Sequence, residues 1–133
     1  MKKILVAYDG GEPAARALDT AAELAKLTGA TIAVVSVVPV HPGRAPVDPW
    51  DDTSMHAEEL IQARRVLREK GLEAELIEPS GEPAATIERI AEDGGFDTVV
   101  IGSRGLNLMG RVLQGSVSEH VATHAKATVV VAR

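Results

Sequence analysis

No cysteine occurs among the 133 residues, so the chain can form no disulfide, presents no thiolate nucleophile and offers no Cys-ligated metal. Nothing in it calls for an oxidising compartment. Long apolar runs are missing too. The opening Met1-Lys2-Lys3-Ile4-Leu5-Val6-Ala7 has the basic residues of a signal peptide, but its apolar stretch stops at Tyr8-Asp9-Gly10, short of the roughly 7–15 apolar residues of a secretory core. It reads as a buried strand. No other segment nears the roughly 20 apolar residues of a membrane span, so a soluble cytoplasmic protein with no membrane partner is expected. Positive charge is in deficit, with 14 Lys and Arg against 19 Asp and Glu and a net charge of −5. That balance disfavours nonspecific attraction to nucleic acid or anionic lipid, and a polyanionic ligand would need a local device and a divalent cation. Also absent are a Gly-x-x-x-x-Gly-Lys-Ser/Thr loop, a Gly-x-Ser-x-Gly elbow and a His-Glu-x-x-His helix, three common signatures of phosphoryl transfer, ester hydrolysis and metalloproteolysis.

What is present is a regular alternation. Short β-branched runs at about Lys3–Tyr8, Thr31–Val38, Glu73–Glu78, Thr98–Ile101 and Thr128–Ala132 alternate with segments of helical period, the pattern of parallel strands joined by helical crossovers. Several strands are continuously apolar, as strands covered on both faces are. Four helices are predicted, at about Pro13–Thr28, Thr53–Lys70, Pro83–Glu92 and Ser116–Ala125. The first presents Ala14, Ala17, Leu18, Ala21 and Ala25 on one face and stops at Gly29; the second stripes Leu60, Ala63 and Leu67 and stops at Gly71. One domain over residues 1–133 accommodates all of this, with roughly two-thirds of the unfolded surface buried. Gly-Glu-Pro-Ala-Ala occurs at 11–15 and again at 81–85, which reflects either a duplication or the recurrent use of Pro at a helix start. Pro39–Asp52, with four of the seven prolines and the lone Trp50, is expected to be a surface loop without regular structure.

The segment richest in chemistry follows the fourth strand. Gly102-Ser103-Arg104-Gly105 comes directly after Asp97-Thr98-Val99-Val100-Ile101 and leads, nine residues on, to Gly115-Ser116 at the start of the last helix. Glycine keeps no side chain between a ligand and the backbone N–H groups, and a helix start adds unpaired donors and about half a positive charge. That is an anion cradle. Open parallel sheets bind ligands outside the carboxyl ends of their strands where the strand order reverses. In a 2-1-3-4-5-like or a 3-2-1-4-5 sheet the first and fourth strands flank that point, and their ends carry Ala7, Tyr8 and Asp9 on one side and Ile101, Gly102 and Ser103 on the other. Asp9 either accepts from a ribose hydroxyl or holds a hydrated Mg²⁺, or it merely starts an Asp-Gly-Gly turn. The glycines either cradle phosphate or supply positive φ in a long connection. Ser116 and Ser118 are placed to donate to phosphate or to cap the helix, and Arg104 and Arg111 to neutralise phosphate or to sit in solvent. His120 and His124 stand four apart on the last helix, a zinc-ligand spacing. With no cysteine and no third ligand following, they read as surface or helix-end residues.

These residues, taken together, resemble a single-domain universal stress protein. The resemblance covers the chain from Ile4-Leu5-Val6-Ala7-Tyr8-Asp9-Gly10 through Gly102-Ser103-Arg104-Gly105 and Gly115-Ser116-Val117-Ser118 to His124-Ala125 and Thr128–Val131, and the spacing Gly-x-x-Gly, nine residues, Gly-Ser/Thr matches that family's ATP-binding signature. It implies an adenine nucleotide alpha hydrolase-like α/β fold, with an open twisted five-stranded parallel sheet of order 3-2-1-4-5 and four helices on both faces. It also implies MgATP at the crevice between the first and fourth strands, with Mg held through the phosphates, and a homodimer formed through the last strand. By position, Asp9 meets the ribose, the Val37 backbone the adenine, Gly102 and Gly105 the ribose and α-phosphate, and Gly115, Ser116, Val117 and Ser118 the phosphates. Arg104 fills a position that varies in the family. Gly11 stands where Ser is frequent, and Lys126 and Thr128 replace common prolines. The dimer also has a physical motive, because the uncharged strand Thr128–Ala132 is a template for pairing if it lies at an edge.

The expected role is a stress-response protein of the cytoplasm that uses ATP as a regulatory or conformational ligand. Two other classes compete: a nucleotide-free dimeric interaction protein of the same fold, and a slow ATPase or other ATP-using enzyme. No general base is identifiable from the residues. Related ATP-using enzymes carry Ser-Gly-Gly-x-Asp-Ser or His-x-Gly-His early in the chain, where this one has Asp9-Gly10-Gly11-Glu12-Pro13.

Overall fold

A computed structural model of the chain describes residues 1–39, 49–103 and 117–133. The β-branched runs form five strands of one parallel sheet: β1 (Lys3–Ala7), β2 (Thr31–Val35), β4 (Ala74–Ile77), β6 (Thr98–Gly102) and β7 (Thr128–Ala132). Two short strands, β3 (Val38–Pro39) and β5 (Ser80–Gly81), pair separately. The helices are α1 (Glu12–Thr28), α2 (Pro49–Glu69), α3 (Pro83–Asp93) and α4 (residues 117–124). The large sheet runs β4-β2-β1-β6-β7, which is the expected order 3-2-1-4-5 when its strands are counted along the chain.

Strand alternation sends successive side chains to opposite faces, so both faces must be covered. Ile4, Val6, Ile32 and Val34 pack beneath Ala14, Ala17, Leu18 and Ala21 of α1 and Leu60, Ala63 and Leu67 of α2. Leu5, Ala33, Val35, Val99 and Ile101 pack beneath Ala84, Ile87 and Ala91 of α3 and Val121 of α4. The alanine face of α1 lets that helix lie close to the strands. Gly29 and Gly71 close α1 and α2 in left-handed conformations, with φ of +75° and +81°, and the Gly29 N–H donates to the Ala25 carbonyl at 2.8 Å.

Three local expectations are corrected. The strand over Thr31–Val38 is broken, because β2 stops at Val35 and pairing resumes at Val38. Across from the break lies Pro79, which accepts from the Val38 N–H at 2.8 Å but has no N–H to return to β2. Pro39–Asp52 is not wholly irregular: β3 takes its first residue and α2 begins at Pro49. Proline is tolerated in a helix's first turn. Residues 40–48 lie outside the described chain. The repeated pentapeptide starts its two helices in different registers. α1 begins at Glu12 with Gly11 as a cap that makes no side-chain bond, whereas α3 begins at Pro83 and Glu82 is the cap, its carboxylate accepting from the Ala84 and Ala85 N–H groups at 3.2 and 2.7 Å.

At the opposite end of the strands Asp97 gathers three of them. Its carboxylate accepts from the Lys2 N–H at 2.7 Å, which holds it below the ordinary Asp range, and its carbonyl accepts from the Thr128 N–H at 3.0 Å. A proline in place of Thr128 would lose that bond. Among the described residues no helix is long and apolar enough to cross a membrane.

Candidate functional site

The strand order reverses between β1 and β6. From β1 the chain crosses to β2 on one side, whereas β6 lies on the other, and in open parallel sheets the crevice for a ligand lies above the strand ends at such a point. The register Ile4↔Thr98, Leu5↔Val99, Val6↔Val100, continued by one residue, sets Ala7 level with Ile101. Asp9 and Ser103 lie just beyond.

Asp9 makes the turn. Its Oδ1 accepts from the Gly11 N–H at 3.0 Å, which builds the Asp-Gly-Gly turn into α1. Burial nevertheless raises its carboxyl above the ordinary range, Glu59 raises it further, and the Gly11 N–H and His56 pull against them. Burial, Glu59 and Asp9 likewise raise the Tyr8 phenol. The mouth of β1 is thus a partly desolvated acidic site, suited to accepting from hydroxyl groups or to facing a cation.

Val37 lies in the break between β2 and β3. The Ser36 and Val38 N–H groups donate toward β4, to the Ile77 and Pro79 carbonyls, while the Val35 carbonyl accepts from Tyr8 on the β1 side. Backbone polar groups alternate sides along a parallel strand. Val37 therefore turns its N–H and C=O to the β1 side, past the point where β1 has ended.

Gly102 has a structural reason to be glycine that the sequence alone does not reveal. It is absent from the left-handed glycines, so positive φ is not its role. A Cβ there would stand 2.8 Å from the carbonyl carbon, oxygen and Cβ of Pro13. Glycine at the end of β6 is what lets the first turn of α1 sit on the strand. Across the crevice Ser118 is buried in α4, and its hydroxyl donates to the Ser103 carbonyl at 3.3 Å, tying the helix to the end of β6; Val117 is half-buried against the α3 face of the core. Arg104, Gly105, Gly115 and Ser116 lie outside the described residues, as do Gly110 and Arg111.

Sequence reasoning missed a polar cluster next to Asp9. Ser36 Oγ and His56 Nδ1 share a hydrogen bond of 2.6 Å, the Ser36 hydroxyl lies 3.4 Å from Glu59 Oε2, and His56 Nδ1 is also 3.4 Å from that oxygen. Glu59 in turn borders Gly10, where a Cβ would lie 3.1 Å from its side chain. A signal was available. His56 and Glu59 fall four residues before Leu60 and Ala63, so they continue the apolar stripe of α2 with polar groups.

The profile of the universal stress protein family matches residues 1–133, and the chain belongs to that family. It is 30% identical to the universal stress protein YxiE of Bacillus subtilis over 150 aligned positions, covering 98% of each chain. Among solved structures it is similar to the universal stress protein of Archaeoglobus fulgidus, with a TM-score of 0.82, 29% identity, and coverage of 100% of this chain and 99% of that one. The complex of the universal stress protein from Archaeoglobus fulgidus with dAMP gives a TM-score of 0.80 at 29% identity, covering 100% of this chain and 98% of that one.

Proposed function

We propose that this chain, acting as one domain over residues 1–133, binds ATP with Mg²⁺ in the crevice between β1 and β6 and uses it as a regulatory ligand in the cytoplasm. The observation that carries the reading is the placing of a partly desolvated Asp9 at the one point where the sheet order reverses, opposite an α4 tied to the end of β6. The dAMP complex of a relative 29% identical supports an adenine nucleotide as the ligand class. Asp9 accepts from the ribose hydroxyls and the Val37 backbone faces the adenine edge. The strand ends Ala7, Ile101 and Gly102 floor the site, and the family motif assigns Arg104 and Gly105 to the same ligand. Gly115, Ser116, Val117 and Ser118 hold the phosphates. Magnesium bound through the phosphates supplies the charge neutralisation that a chain of net charge −5 does not. Nucleic acid and membrane have no place in this reading.

Asp9→Asn separates the ligand role from the turn role. The amide oxygen still accepts from Gly11, but the charge is gone. An Asp raised above its unfolded value costs the fold stability at neutral pH, and the cost disappears as pH falls below the ordinary value of 3.8. At pH 7 the unliganded variant therefore melts higher than the parent. Its ATP affinity falls about tenfold, the worth of one charge-assisted hydrogen bond. Calorimetric melting and titration read both; an unchanged affinity would remove Asp9 from the site.

The same reading makes the protein a homodimer through β7. That strand pairs only with β6 among the described strands, and Val131 is 38% exposed along it. Light scattering is expected to give about 28 kDa, twice the chain's 14.0 kDa; a concentration-independent monomer would contradict it.

A further inference from the structure

A third ligand does stand beside the two histidines of α4, and it comes from another helix. Glu88 on α3 places Oε1 2.7 Å from His120 Nδ1 across 32 positions of sequence. One ligating atom from each of Glu88, His120 and His124 lies within 4.8 Å of the others. The imidazoles of His120 and His124 stack with centroids 4.0 Å apart and planes 21° from parallel. We propose that Glu88, His120 and His124 form a site for a divalent transition metal of the zinc class, which clamps α4 to α3.

The hydrogen bonds set the ligand atoms. His124 Nδ1 lies 2.9 Å from the His120 carbonyl, which can only accept, so Nδ1 carries the hydrogen and the neutral ring keeps its lone pair on Nε2. The Glu88 carboxylate fixes His120 in the same way. A metal-binding histidine characteristically donates its other ring N–H to a carboxylate or a backbone carbonyl, and here both partners are in place. Glu88 then acts either as the orienting carboxylate of His120 or, after a side-chain rotation, as a direct ligand. Tetrahedral zinc with bonds near 2.1 Å needs ligand atoms about 3.4 Å apart. Side chains on two exposed helix faces reach that spacing by rotation. With imidazole and carboxylate donors and no thiolate, the set suits zinc better than magnesium or calcium.

A plain His120–Glu88 pair accounts for one contact, and such surface pairs are weak. It does not account for the second imidazole, stacked on the first and turned by a backbone carbonyl. Two imidazoles, joined by Glu88 where it ligates directly, leave at least one position open. Glu88 and His124 also line a cleft of about 620 Å³ that includes Phe96 and Lys126. Because α4 also carries Ser118, bonded to Ser103 beyond the end of β6, a clamp at His120 and His124 holds the helix that meets that strand end.

The test is a calorimetric titration of the full, tag-free, chelator-treated chain with zinc chloride alone, alongside melting with and without zinc. The expected result is saturable binding of one zinc per chain with a raised melting temperature. His124→Ala and Glu88→Gln each weaken binding about tenfold or more, the double change of His120 and His124 to Ala abolishes it, and His41→Ala leaves it intact. No saturable binding at millimolar zinc overturns the proposal. So does binding that survives the double change, which would place the metal at His41, His56 or the acidic surface instead.

Discussion

Gly102→Ala lowers the stability of the unliganded protein by about 1–3 kcal/mol, the usual cost of forcing a methyl into a filled space, and its melting temperature by on the order of 4–12 °C. The new Cβ meets Pro13 at 2.8 Å, and two of the three nearest atoms are backbone, so no side-chain rotation relieves the clash. Either α1 lifts from β6 or β6 bends. The backbone of Gly102 is not left-handed, so the penalty is steric and grows with side-chain volume, which makes Gly102→Val worse than Gly102→Ala. Gly29→Ala is the contrast. There the space is open but φ is +75°, and the expected cost is near 1 kcal/mol from conformation alone. Scanning calorimetry of the three variants distinguishes the two mechanisms; a Gly102→Ala protein melting with the parent would show that Pro13 can give way freely. Pro13 comes two residues after the Asp9-Gly10-Gly11 turn, so the same displacement disturbs the end of β1.

Gly115→Val reduces ATP affinity by about tenfold or more while the fold survives. The warrant is chemical: a branched side chain holds a phosphate away from backbone N–H donors, and each hydrogen bond to a charged group is worth about 1.5–3 kcal/mol. Titration calorimetry on the variant, with its circular dichroism and melting compared to the parent, gives the answer. Unchanged affinity in a folded protein would dismiss Gly115 as part of the phosphate cradle and leave it as a turn residue.

The fold was legible in the sequence where local chemistry and tertiary environment agree. Ile4-Leu5-Val6 and Val99-Val100-Ile101 are apolar on both faces because helices cover both faces, and the stripe Leu60, Ala63, Leu67 is buried where its period places it. What was not legible depends on a partner distant in sequence. Nothing local in Thr31–Val38 announces that Pro79 will lie opposite it and break the ladder. The same Gly-Glu-Pro-Ala-Ala starts a helix at its Glu in one place and at its Pro in the other, since the flanking chain decides which residue caps. At the candidate site the strand ends Ala7, Asp9, Ile101 and Gly102 follow from the sheet pattern. The cluster of Ser36, His56 and Glu59, and the approach of Glu88 to His120, arise only when separate elements cross. Of the glycine motif, Gly102, Val117 and Ser118 are described by the structure, and Gly105, Gly115 and Ser116 stand on the sequence and the family resemblance.

The most direct test of the account is the melting of nucleotide-stripped protein with and without saturating ATP and Mg²⁺. At a hundred times Kd, a ligand that binds only the folded state adds about 2.7 kcal/mol, a rise on the order of 10 °C for a domain of this size. That rise, lost in Gly115→Val and reduced in Asp9→Asn, is the predicted result. Identical melting with and without ATP, ADP or AMP would contradict nucleotide binding in the β1/β6 crevice and leave the chain as a nucleotide-free member of its family.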